Sequence, residues 1–112
     1  LHLTYENFET RIIKDPRPAV VLFYARWCGK CAMMEDVFEL VAEEFDGQMG
    51  TGRVETERNP LLTARYRISG PDGADIVPTF VFFQNGSVVT TMKGLIGEAT
   101  LEQRLKEIFR NC

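Results

Sequence analysis

The spacing of apolar residues changes several times along this chain, and each change marks an element. Thr4 precedes a brief helical pattern in which Phe8 and Ile12 fall one turn apart, ending near Asp15-Pro16-Arg17-Pro18. Ala19 to Ala25 is a continuous apolar run, rich in β-branched and aromatic residues, as expected of a central strand covered on both faces. From Cys31 onward, Met34, Val37, Phe38, Val41 and Phe45 recur at three and four residues, the spacing of one buried helical stripe, which Gly47 ends. Thr51 to Glu55 reads as a second strand. Pro60 to Tyr66 reads as a short helix with proline at its first position. Thr79–Gln84 and Ser87–Lys93 flank Asn85-Gly86, the dipeptide that permits the two positive φ values of a tight hairpin, so these strands should pair antiparallel. Leu101, Leu105, Ile108 and Phe109 mark a last amphipathic helix. Strands alternating with helices and closing on a hairpin predict an α/β fold with a mixed sheet.

Length and charge narrow the function. The 112 residues suffice for one hydrophobic core and are too few for two ordinary domains, so residues 1–112 are read as a single domain. No repeat or low-complexity stretch interrupts them. The longest apolar run is far too short to cross a bilayer, which argues against a membrane partner. A net charge of -3 without a basic block offers no footprint for nucleic acid. No basic segment followed by an apolar core opens the sequence, which starts at Leu1, and the cytoplasm is the expected compartment.

The candidate chemistry lies in Arg26-Trp27-Cys28-Gly29-Lys30-Cys31. This pair sits where the central strand gives way to the long helix, placing Cys28 near the helix N-terminus and Cys31 about one turn inside. Unpaired amides and the positive end of the helix dipole favour a thiolate at Cys28, the species that attacks a disulfide. Lys30 adds positive charge, and Gly29 keeps the turn open. Cys31 is close enough to displace the first sulfur once a mixed disulfide has formed. A structural zinc site would need two more ligands, for which the chain offers only Cys112 and His2, so no metal is expected. A structural disulfide between neighbours in one turn would contribute little, because the loop it closes is so short.

Through Phe23-Tyr24-Ala25-Arg26-Trp27-Cys28-Gly29-Lys30-Cys31, Val77-Pro78-Thr79-Phe80, Asn85-Gly86 and Gly94, the sequence resembles the thioredoxin family over essentially its whole length. The resemblance implies a central mixed sheet of five strands flanked by helices on both faces, with Leu1 to Thr4 in the place of the first strand. It implies that Pro78 follows a cis bond and faces the cysteine pair, that Val77 offers its backbone to an extended substrate, and that Trp27, Pro78 and Gly94 border that substrate. Gly29 and Lys30 occupy the positions that tune redox poise. The implied activity is thiol-disulfide exchange that reduces protein disulfides. It would need no bound cofactor and would draw electrons from a flavoprotein reductase or another dithiol. A monomer is expected. The rival reading is a binding or chaperone module of the same fold with idle thiols.

The sequence also departs from that family. Lys30 stands where proline is common. Leu22 stands where many members carry a buried aspartate that manages the resolving cysteine's proton, and Arg53 stands where they place that aspartate's lysine partner. Pro71-Asp72-Gly73-Ala74-Asp75 is extra length beside the Pro78 loop, expected to be a solvated turn, with a part in shaping the substrate groove as the alternative. Met33 and Met34 are expected to pack in the core or at its rim, His2 to be an ordinary surface or strand residue, and Cys112 to be an exposed thiol unnecessary for exchange.

Overall fold

A computed structural model describes residues 2–45, 47–70, 72–94 and 96–110, with the side chains of Glu98, Ile108, Phe109 and Arg110 outside the description. The expectations for Cys112, Leu1, Pro71 and the inward face of Ile108 and Phe109 therefore lie outside the described residues.

Among the described residues the sheet has four strands in the order β2-β1-β3-β4: β1 (Ala19–Tyr24), β2 (Gly50–Glu55), β3 (Thr79–Gln84) and β4 (Ser87–Lys93). β1 runs parallel to β2 and antiparallel to β3, and β3 pairs antiparallel with β4, so the sheet is mixed as predicted. Every residue of β1 is buried, which its unbroken apolar run anticipated. Of the expected fifth strand, the described residues form a single parallel bridge, His2 to Arg53, with the Leu3 amide donating to the Arg53 carbonyl at 2.7 Å. It goes no further because Thr4 already starts a helix, its amide donating to Asn7 Oδ1 at 2.8 Å.

Helices cover both faces. Alternate residues of a strand point to opposite sides, and β1 accordingly divides between two cores. Val20, Leu22 and Tyr24 join Phe80 and Phe82 under α2 (Gly29–Glu44) and α4 (Glu98–Arg110), where they meet Met34, Phe38, Val41, Leu101 and Leu105. Val21 and Phe23 join Val81 and Phe83 on the other face, where α1 (Tyr5–Phe8), the wider turn Glu9–Ile13 and α3 (Pro60–Arg65) bring Phe8, Ile12 and Leu62. The wider turn was not anticipated; in it the Lys14 amide reaches back five residues to the Glu9 carbonyl at 2.9 Å.

The hairpin forms as predicted. Asn85 and Gly86 have φ of 52° and 79°, and a methyl group on Gly86 would come within 2.5 Å of the Ile13 carbonyl oxygen, so both conformation and space require glycine there. The extra segment before Ile76 closes on itself, with the Gly70 amide donating to Ala74 O at 2.7 Å and Ser69 bridged to Asp75, while Asp72, Gly73 and Ala74 are exposed. Asp72, Gly73 and Ala74 thus form a solvated turn, as expected.

Candidate active site

The cysteines meet solvent differently because a helix begins between them. Cys28 is the N-cap of α2 in extended conformation, and its sulfur accepts a hydrogen bond from the Cys31 amide at 3.2 Å, one of the donors a helix start leaves without a partner in the helix. Its own amide donates to the Ala25 carbonyl at 3.2 Å, fixing the turn that delivers it from β1. Cys28 is half-buried. Cys31, one turn on, points into the core beside Leu22 and Met34 and is 1% exposed. Burial chiefly, then the hydrogen bond with Cys28 and the charge of Glu35, pushes the Cys31 thiol up to about 12.

A second segment closes over the pair. The Val77–Pro78 peptide bond is cis, and the Val77 carbonyl oxygen lies 3.8 Å from Cys28 Sγ. Gly94, at φ 89°, donates its amide to the Pro78 carbonyl at 2.8 Å, which ties the end of β4 to the same loop. The fold thus gathers Cys28, Cys31, Val77, Pro78 and Gly94 from three separate stretches. Trp27 is 65% exposed, and its indole N–H donates to the Glu57 carboxylate on the turn after β2. Gly29 faces open space, and Lys30 is exposed.

The paired methionines divide. Met34 is buried, and its sulfur accepts from the Ile96 amide at 3.4 Å. Met33 is 62% exposed, correcting the expectation that both pack, because the helical period that turns residues 34, 38 and 41 inward turns 33 and 40 outward.

Leu22 is wholly buried, as its apolar side chain requires, and lies in register beside Arg53. The Arg53 guanidinium reaches across to α2, 3.2 Å from Glu39 and 4.0 Å from Glu35. Between them opens a cleft of about 350 Å³ with Tyr24, Cys28, Cys31, Glu35, Arg53 and Glu55 on its walls. The Tyr24 phenol is held above its ordinary range, first by burial and then by the nearby charges of Glu55 and Glu35. A larger cleft at Thr10, Arg11 and Met49 is lined by neither cysteine, and Asp15 and Arg17 on its wall pair at 2.7 Å. Glu35, Tyr24 and Glu57 were not singled out from the sequence. Glu35 had a readable signal, since it follows Cys31 by four residues on one helix.

A terminal thiol with one fixed N–H donor, a second thiol behind it and a carbonyl-edged groove is suited to exchanging disulfides. The family comparison agrees with that geometry. The thioredoxin family model matches residues 1–107. The chain is 31% identical over 105 residues to a thioredoxin of Porphyra purpurea, covering 94% of this chain and 92% of that one. It is 31% identical over 101 residues to a thioredoxin of Allochromatium vinosum, covering 90% and 89%. A thioredoxin of Pyropia yezoensis is 30% identical over 105 residues, with 94% and 92% covered. The protein belongs to the thioredoxin family, and its Cys28/Cys31 pair is of the CxxC type that carries thiol-disulfide oxidoreductase activity. Among the described residues, no helix is long and apolar enough to cross a membrane.

Proposed function

We propose that the protein reduces disulfides of other proteins, with Cys28 as nucleophile and Cys31 as resolving thiol. The observation that carries this reading is the asymmetry of the pair. Cys28 is reachable and holds a hydrogen bond from the Cys31 amide, whereas Cys31 is buried, one turn behind, and is placed to attack only the Cys28 sulfur of a mixed disulfide. Attack by Cys28 forms a mixed disulfide, and Cys31 then displaces the substrate sulfur. An extended substrate would lie along Trp27, Val77, Pro78 and Gly94, with the Val77 backbone beside the reacting sulfur. Gly29 and Lys30, between the cysteines, set the redox poise.

The reducing direction is the one implied by the resemblance to the thioredoxin family. It calls for an electron donor, a flavoprotein reductase or another dithiol, and suits the cytoplasm, where thiols are kept reduced. Insulin reduction by dithiothreitol tests the reading. The protein should accelerate insulin precipitation, and Cys28→Ser should abolish the acceleration. No acceleration by the parent would leave the binding module as the better account.

A further inference from the structure

Resolution requires Cys31 to lose a proton, and the face of the sheet behind it offers no acid on β1. Leu22 is apolar and wholly buried. The charged groups around the cleft come from every element that borders it. β1 contributes Tyr24, whose phenol is itself a proton donor. β2 contributes Arg53, a cation, and Glu55, which Arg58 engages at 3.2 Å. His2 and Arg26 stand at the exposed rim. α2 contributes the two cysteines and Glu35, with Glu39 further along.

Glu35 is the more loosely paired of the two acidic side chains that line the cleft. Its distance to Arg53 is 4.0 Å, while Glu39 holds that guanidinium at 3.2 Å and is the more exposed of the two carboxylates, 60% against 30%. Side chains four apart on a helix are neighbours, and each leans toward the helix N-terminus, so Glu35 leans over the turn that carries Cys31. The cleft, about 350 Å³, has room for a bridging water, which occupies roughly 30 Å³ in the liquid. Its walls supply the polar partners such a water needs.

We propose that Glu35 accepts the Cys31 proton during resolution, in place of an acid at Leu22. The inference rests on the reductase reading above. In this step the thiol proton passes to the Glu35 carboxylate as the Cys31 sulfur bonds to Cys28 Sγ. The bond between Cys28 and the substrate sulfur breaks, and the substrate leaves as a thiolate carrying the electron pair. The dithiol has then lost two electrons and the substrate disulfide has gained them. Glu35 returns its proton through the open cleft to solvent or to the departing thiolate. The charge of Glu35 also opposes ionisation of Cys31 at rest, in line with its part in raising that thiol, so the resolving sulfur stays protonated until the proton has somewhere to go.

Stopped-flow reaction with one equivalent of dithiobis(nitrobenzoate) tests this in a Cys112→Ser background, where only the pair reports. The first nitrothiobenzoate release reads attack by Cys28 and the second reads resolution by Cys31. At neutral pH, Glu35→Gln should leave the first phase intact and slow the second by about a hundredfold, the lower end for a general base. The deficit should shrink steadily as pH rises and Cys31 ionises unaided, and Glu35→Asp should fall between the two. An unchanged second phase, or equal slowing of both phases at every pH, would overturn the proposal. If the parent releases only one equivalent, the reductase reading itself fails, and the proposal with it.

Discussion

The two faces of the sheet are built for different work. On the face under α1 and α3, Phe8, Tyr66 and Phe83 meet ring to ring at 5.4 to 5.8 Å, and the core there is aromatic and aliphatic. The face under α2 and α4 also has a buried apolar core, yet one end holds a thiol, a phenol and a guanidinium beside two carboxylates. Both faces draw on the same strand, β1, one residue apart. The lesson is that one face can be filled for stability alone, which allows the other to carry groups that are costly to bury.

Truncation on the aromatic face should give the largest effect. Phe8→Ala, at a side chain 1% exposed, should cost about 3–5 kcal/mol in urea unfolding. The rate of Cys28 attack per folded molecule should not change, since α1 touches neither cysteine. A matching loss of attack rate under conditions where the variant remains folded would show that the faces are not independent.

Alkaline pH should separate the faces next. The Cys31 thiol is raised from 9.0 to about 12, chiefly by burial, so the folded protein keeps its proton at pH values where the unfolded chain has released it. The stabilisation is therefore fully present below about pH 9 and is lost as pH climbs toward about 12. Tyr24 and Tyr66, also raised by burial, add to the decline with the same sign. Urea midpoints of the reduced protein across this range should fall, and less steeply for Cys31→Ala. Equal slopes would mean that the buried thiol contributes nothing to the difference between faces.

The smallest effect expected is at Lys30. Its exposed charge, several ångströms from Cys28, should favour the reduced pair by on the order of 1 kcal/mol. Lys30→Pro should then make the potential more negative by roughly 20 mV. Titration against glutathione measures it, and an unchanged potential would show that the charge is spent in solvent.

The elements with strong local pattern were legible in the sequence. The apolar run of β1, the inward stripe of α2 and the Asn85-Gly86 hairpin each follow from residues a few positions apart, and the cysteine pair was located by the same junction of strand and helix. Features set by distant neighbours were not legible. The irregularity between Phe82 and Phe83 depends on the register of β4 against β3. Around the cysteines, Val77, Pro78 and Gly94 came from family resemblance, since nothing in local spacing brings residue 77 to residue 28. Glu57 is joined to Trp27 only by the fold, whereas Glu35 was within reach of helical spacing and was obscured by the many acidic residues of α2.

The unequal roles of the two cysteines are tested most directly by trapping. Cys31→Ser and Cys28→Ser would each be incubated with a disulfide-bonded protein, and the adducts counted by intact mass. Cys31→Ser should accumulate a mixed disulfide through Cys28, because attack proceeds and resolution cannot. With Cys112→Ser in both variants, Cys28→Ser should trap almost none, its one remaining thiol, Cys31, being buried. Equal trapping by the two variants, with the Cys28→Ser adduct mapped to Cys31, would contradict the account.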